Sequence, residues 1–465
     1  MRFALKPTAA LTALALLLGG CASPATETES DRFEDQVGVQ LFMWGWDAIE
    51  RECEFLGESG IDWVLTSPPQ EHVAGAQWWT VYQPVSYQLE SRLGTRDEFA
   101  SMVQTCKENG VEIIADAVIN HMTGRDSGVS FAGTEFSKYE YPGLYSRTDF
   151  HDCQLTVDGQ IADYQNAEQV QTCELLGLSD LDQSRPQVQQ RIVAYLQDLL
   201  SLGVVGFRID AAKHMVAADL KAIKDQLPEE TRFLHEVIKG ASEPIQPSQY
   251  LDSGNVFEFS YARNLSSYIS FEMPPADFAT RILELDPSSQ AIAFVSNHDT
   301  ERNGETLNYA QAADFSLATA FMLADDFGQP MLFSSYAFSD FDAGPTKPAS
   351  CTEFDAAQSS DVQDGDWLCQ HRQPAILNMI KFRDGVSGSP VAEEFYSEGV
   401  YGFARAGRGY FIANFYSDTQ SEVSVNTTLP DGEYEDLISG SSHRITDGKL
   451  TLTLQPKTAL ALMVK

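Results

Sequence analysis

Gly206-Phe207-Arg208-Ile209-Asp210-Ala211-Ala212-Lys213-His214 decides the fold. It reads as a short buried strand that ends on an acid and runs into a polar loop. Side chains alternate across a strand, so Arg208 and Asp210 share one face while Phe207 and Ile209 share the other. A strand buried for structure alone carries two apolar faces. Here one face carries an Arg and an Asp. A guanidinium two residues before a carboxyl favours the anion, and a carboxylate kept ionised in a partly buried pocket is a candidate nucleophile. A structural Arg–Asp pair explains the nonapeptide equally well, so its surroundings have to decide.

Apolar runs of the same kind recur on both sides: 37–42, 61–65, 111–115, 204–209, 233–234, 256–259, 291–295 and 331–333. Helix-like stretches separate them. The clearest precedes the quoted strand, with Ser184 as N-cap, Pro186 in the first turn, a stripe at Val188, Ile192, Leu196, Leu199 and Leu200, and Gly203 as the stop. Strand and helix alternating about eight times predict a closed (β/α)8 TIM barrel, with an open doubly wound sheet as the alternative. No glycine-rich phosphate loop follows the first run, which weighs against a nucleotide-binding version. Asp116, Asp210, Glu236 and Asp299 each follow an apolar run. In a barrel those ends meet on one face. With Arg208, Asn120, His121, Asn297 and His298 beside them, the pattern predicts a carboxylate active site.

Two regions depart from the repeat. Residues 121–179 form a long stretch rich in Gly, Asp, Ser and Tyr, read as an inserted subdomain after the third strand. Beyond the helix-like 373–382, alternating segments with Gly, Asp and Asn turns predict an all-β domain over 389–465, leaving 36–388 as the barrel.

Acids outnumber bases 67 to 31, for a net charge of −36. That argues against nucleic acid and an anionic membrane surface as partners and fits a neutral or cationic ligand, solubility in salty water, or simply a well-solvated surface. Residues 1–21 read as an export signal with a short apolar core. Leu18-Gly19-Gly20-Cys21 resembles a lipoprotein box, with Cys21 lipidated and Ala22 next, which implies the outer membrane or cell surface. An ordinary secretory signal is the alternative. Residues 22–35 are a polar, acidic tether, and membrane contact is expected through the lipid anchor alone. Six cysteines remain after Cys21. An even number in an exported chain predicts disulfides whose pairing the count does not set.

Asp116-Ala-Val-Ile-Asn120-His121, the quoted stretch, His235-Glu236-Val237 and Phe294-Val-Ser-Asn297-His298-Asp299 resemble, in order and spacing, the four signature regions of α-amylases, glycoside hydrolase family 13. Gly177-Leu-Ser-Asp180-Leu-Asp182 resembles a fifth. Trp78-Trp79-Thr-Val-Tyr82-Gln-Pro-Val-Ser-Tyr87 resembles the animal and actinomycete branch. The resemblance implies retaining endohydrolysis of α-1,4-glucans by a monomer. Asp210 would be the nucleophile, Glu236 the general acid and then base, and Asp299 the stabiliser of the transition state. Trp78, Trp79, Tyr82 and Gln83 would line a sugar platform, His121 and His298 would donate to the sugar, and Lys213 and His214 would flank the reducing side. A packed core cluster and structural histidines are the bland readings of the aromatic and imidazole groups.

The resemblance also implies calcium, held by Asn120 and Asp180 side chains and by the carbonyls of Gln171 and His214, an all-oxygen set suited to a hard cation. It implies pairs Cys53–Cys106, Cys153–Cys173 and Cys351–Cys369. Ala337 stands where chloride-activated relatives carry a cation beside Arg208 and Asn297, so no chloride dependence is expected. Thr300-Glu301-Arg302-Asn303-Gly304 replaces a longer glycine-rich loop. Transglycosylation or maltooligosaccharide formation is the same-family alternative, and a non-catalytic glucan-binding lipoprotein the alternative from another class.

Overall fold

The computed structural model describes residues 36–276, 281–282, 284–351 and 362–464. Cys21, the signal and the tether lie outside them. Eight parallel strands close into a barrel: β1 (Gly38–Leu41), β2 (Trp63–Thr66), β3 (Glu112–Ala117), β4 (Gly206–Ile209), β5 (Arg232–His235), β6 (Asn255–Phe257), β7 (Ala291–Phe294) and β8 (Gln329–Ser334), with β8 pairing back onto β1. The runs were legible, but the third strand extends further than expected. Asp116 lies inside β3, fully buried, rather than after it.

Alternation splits the barrel's apolar residues into two layers. Trp63, Leu65, Ile114, Leu234, Phe257, Ile292, Phe294 and Met331 fill the interior, and residues of opposite parity, such as Ile113, Phe207, Ile209, Phe233 and Ala293, pack outward in the larger core. Gly38 is required by this packing, because a Cβ there would stand 2.1 Å from the Trp63 indole. The outer layer holds α1 (Trp46–Glu58), α2 (Arg96–Glu108), α3 (Pro186–Ser201), α4 (Ala217–Lys224), α5 (Phe259–Ser270), α6 (Ala312–Ala324) and α7 (Pro374–Gly385). The crossover from β5 to β6 has no α-helix, only the 3-10 turn Pro247–Gln249, so the alternation is incomplete there. Ser184 does not cap α3. Arg185 occupies that position without a side-chain cap and Pro186 opens the helix, while Ser184 Oγ donates to Asp182.

The insertion after β3 contains a hairpin, Ser127–Val129 with Glu135–Ser137, and returns through Ser179–Asp180, which pairs with His121–Met122. After α7 come two four-stranded antiparallel sheets. One holds β9 (Val391–Ser397), β10 (Val400–Arg405), β11 (Gly409–Asn414) and β16 (Ala459–Met463), and the other β12 (Ser421–Asn426), β13 (Gly432–Glu435), β14 (Ser442–Thr446) and β15 (Lys449–Leu454). The disulfides are Cys53–Cys106, between α1 and α2, Cys153–Cys173 and Cys351–Cys369, as the resemblance implied. No helix among the described residues is long and apolar enough to cross a membrane.

Candidate active site

Strand register assembles the site. Asp116 on β3 sits level with Arg208 on β4, and Ile209 sits level with His235 on β5, which brings Glu236 beside Asp210. All four polar side chains face the barrel axis above its apolar floor. Arg208 Nη1 donates to both carboxylate oxygens of Asp116 at 2.8 Å and to Asp210 Oδ1 at 2.9 Å, and Nη2 donates to Glu236 Oε1 at 2.5 Å. One guanidinium thus serves three buried acids. Asp210 and Glu236 lie on different nitrogens of that fork, which confines their separation to a single guanidinium and two hydrogen bonds. The backbone closes the arrangement. Ala211 adopts φ 51°, in the left-handed region, and its N–H donates to Glu236 Oε2 at 2.8 Å. A non-glycine residue there stores strain beside the reacting group.

Burial dominates the electrostatics. It raises the pKa of Asp210 against the lowering effect of Arg208. It raises Glu236 too, with Arg208 opposing and the Asp210 charge assisting. Asp116 is pushed up to about 7 for the same first reason. Asp299 rises through burial and then through the charge of Glu236. One cation is shared among several neighbouring carboxyls, and burial raises each of them. Arg208 does lower the pKa of Asp210, as its place in the sequence predicts, but its pull is shared with Asp116 and Glu236 and burial outweighs it.

The acids open into a cleft of about 550 Å³. Trp78 and Tyr82 line it while remaining 6% and 8% exposed, so they are wall and core at once. Trp79 is half-buried, and its Nε1 donates to Asp342 Oδ1 at 3.0 Å. Tyr82 Oη donates to Asp116 Oδ2 at 3.0 Å, which fixes the ring over the acids. Gln83 lines the cleft and accepts from Thr123 Oγ1 at 2.7 Å. Lys213 Nζ donates to the Ile238 carbonyl at 2.7 Å and pairs with Glu243. His214 Nδ1 meets the Val170 carbonyl at 3.1 Å.

The two histidines expected to act alike differ. His121 Nε2 donates to the Tyr82 carbonyl at 3.0 Å, and its Nδ1 accepts from Asn120 Nδ2 at 3.3 Å. Both nitrogens are engaged, so His121 forms wall rather than free donor, and burial lowers its pKa to about 4. His298 Nδ1 accepts from Gln40 Nε2 at 3.1 Å, and its Nε2 lies 3.3 Å from Asp299 Oδ2. Sequence reasoning missed Gln40, Tyr164, Leu176, Ile238 and Phe341. Gln40 was legible in principle as the polar, inward position of β1. Phe341 sits in an irregular segment that carried no signal, yet it lines the cleft and its carbonyl accepts from Trp78 Nε1 at 2.9 Å.

A family model described as "Alpha amylase, catalytic domain" matches residues 66–264, and "Bacterial Alpha amylase C-terminal domain" matches 412–457. The α-amylase of Streptomyces violaceus is 42% identical over 97% of this chain and 78% of its own length. The chain belongs to the α-amylase family. It is a glycoside hydrolase. Another relative, the "Alpha-amylase-related protein" of Drosophila elegans, is 38% identical over 92% of this chain and 91% of that protein. Among solved structures, wild-type α-amylase I of the earthworm Eisenia fetida superposes with a TM-score of 0.83 at 32% identity, covering 92% of this chain and 97% of that one. A variant of the same earthworm enzyme, solved with maltohexaose, matches with a TM-score of 0.84.

Proposed function

We propose that this α-amylase hydrolyses internal α-1,4-glucosidic bonds of starch, glycogen and maltodextrins with retention of configuration. Asp210 attacks the anomeric carbon as Glu236 protonates the departing glycosidic oxygen, giving a glycosyl ester on Asp210. Glu236, now a carboxylate, takes a proton from water, whose oxygen displaces Asp210. Retention needs the two carboxyl groups roughly 5–5.5 Å apart, and their attachment to one guanidinium supports that spacing. Asp299 and the Nε2–H of His298 bind the sugar between them, and Trp78, Trp79 and Tyr82 present flat apolar faces to its ring. The observation that carries this reading is Arg208 gathering Asp210 and Glu236 on the floor of an aromatic-walled cleft. Reducing-sugar release from soluble starch tests it. Asp210→Asn should lose at least about 10⁴-fold in kcat, and near wild-type turnover would refute the nucleophile assignment.

Calcium fits the residues present. Asn120 Oδ1 is buried and has no hydrogen-bond partner. Asp180 is buried alongside, since its neighbour Leu181 donates its N–H to the Asn120 carbonyl at 3.0 Å. Gln171 and His214 meet where the helix Ala167–Thr172 packs on the turn Ala212–His214, with Gln171 Nε2 donating to the Met215 carbonyl at 3.3 Å. No group of three or more His, Cys, Asp or Glu side chains converges among the described residues. The expected set has a different character, with one carboxylate, one amide and two carbonyls. Asn120, Asp180, Gln171 and His214 would hold the ion, which would tie the insertion to the barrel and balance the buried carboxylate. Ala337, buried in place of a cation, supports turnover without chloride. The disulfides suit an oxidising compartment, and export with lipidation at Cys21, as a monomer, completes the reading.

A further inference from the structure

Beyond Asp299 the chain turns into a short helix, Thr300–Asn303, that carries two adjacent charged residues. The side chains of Arg302 and Glu301 are 0% and 1% exposed. Arg302 Nη1 donates to Glu301 and to the His298 carbonyl, the latter at 3.2 Å, while its buried Nε finds no acceptor. Four rings surround the guanidinium instead. Its Cζ lies 4.0 Å from the centre of Phe338, 5.2 Å from Phe42 and from Tyr336, and 5.5 Å from Trp78. Cation–ring attraction strengthens in such a water-free cage. Glu301 closes its far side and accepts from Ser335 Oγ at 2.9 Å.

Two of those rings are also walls of His298. Phe42 stacks on one face of the imidazole at 4.8 Å and Tyr82 on the other at 5.1 Å, with Trp78 edge-on at 5.7 Å. The cage around Arg302 and the sandwich around His298 therefore share Phe42 and Trp78. Burying a cation without a full set of acceptors is costly, and nothing about the helix itself requires an Arg there.

We propose that Arg302 is a positioning residue: gripped by four rings, it fixes Trp78 and His298 against the cleft and holds the imidazole as a neutral Nε2–H donor toward the sugar bound beside Asp299. This rests on the hydrolase reading above. Burial, then the charges of Arg208 and Arg302, hold His298 well below the usual imidazole range. The groups facing the ring are Asp299 on its own segment, Arg302 on the following helix, Arg208 from β4 and Tyr82 from the turn Trp78–Tyr82. Gln40, Phe42 and Trp78 are uncharged. Glu301 lies behind Arg302, its carboxyl pushed up to about 7 by burial.

Arg302→Met and Arg302→Lys test the proposal in the intact protein. Histidine side-chain NMR, with His298→Gln to assign the resonance, reads the imidazole without needing turnover. Wild-type His298 should stay neutral and protonated on Nε2 from pH 5 to 8. In Arg302→Met its titration should rise by about one pH unit or more, and kcat on maltoheptaose should fall about 10- to 100-fold with a smaller change in KM. Arg302→Lys should restore the titration and most of the rate. An unchanged titration and kcat in Arg302→Met, or a Lys variant no better than Met, would overturn the proposal. Should Arg302→Met not fold, Phe338→Leu opens the cage with the charge kept: a several-fold lower kcat supports the proposal and an unchanged kcat overturns it. A wild type that leaves starch uncut would sink the hydrolase reading instead, and the NMR titration would still decide the role of Arg302.

Discussion

Two buried arginine clusters, near opposite ends of the barrel strands, handle charge in opposite ways. At the C-terminal ends, Arg208 serves Asp116, Asp210 and Glu236 together. Near the start of β8, Asp325 sits among three arginines, with Asp326 next to it. Arg281 grips it with both terminal nitrogens and Tyr261 Oη donates to it at 2.8 Å. Arg383 and Arg405 cap the last carbonyls of α6, both reaching the Asp325 carbonyl, at 2.8 and 3.0 Å. Cations at a helix C-terminus are favourable, and Arg405 comes from β10, so this cluster also pins the C-terminal sheets to the barrel. The lower cluster is supplied with partners. The upper one is short of cations, and its carboxyls are raised by burial, as the proposed acid role of Glu236 requires.

Opposite responses to removing a carboxylate would establish that contrast. Asp210→Asn, nearly inactive, should melt at the wild-type temperature or above it, because one negative charge leaves a crowded site. Asp325→Ala should lose about 3–5 kcal/mol in urea unfolding, the cost of stranding a buried cation, while its folded fraction keeps wild-type kcat. Equal destabilisation by the two substitutions would erase the distinction.

A subtler effect is expected from Asp116→Asn. On the retaining mechanism proposed above, Glu236 would act protonated and Asp210 ionised, so activity should fall below the pKa of Asp210 and above that of Glu236. Both are raised by burial, with Arg208 opposing. Asp116, pushed up to about 7, carries its charge on the alkaline side, where removing it frees Arg208 for the other two acids and takes away a repulsive neighbour. The pKa of Glu236 then drops, and the alkaline limb of the kcat/KM profile should move acidward by about one pH unit while the acid limb moves less. An alkaline displacement would contradict the shared-cation account. The smallest effect is expected from chelating the calcium proposed at Asn120 and Asp180. Hydrogen exchange should quicken in residues 121–182 before the barrel strands respond, and uniform quickening would argue against a local clamp.

Much of this was legible in the chain. Alternation in 206–210 placed Arg208 and Asp210 on one face, and the acids at strand ends marked the rim where Asp210, Glu236 and Asp299 line the cleft. Other features depend on contacts between distant segments. Asp116 fell inside β3 because pairing with β4 extends the strand past its apolar run. Ser184 looked like a cap, but Asp182 draws its hydroxyl away. His121 reads like His298 in sequence, and only the nearby Tyr82 carbonyl separates their roles. Nothing in the sequence marked Glu301 and Arg302 as buried, since adjacent opposite charges are usually solvated. Their burial is set by Phe42, Tyr336 and Phe338, brought in from β1 and β8.

The central claim is that Asp210, beside a protonated Glu236, bonds to the sugar. A 5-fluoro maltosyl fluoride, which slows breakdown of the ester more than its formation, tests this by peptide mass spectrometry. The account predicts a stoichiometric glycosyl adduct on the 206–214 segment at Asp210, absent in Asp210→Asn. An adduct on Glu236, or turnover with inversion and no adduct, would contradict it.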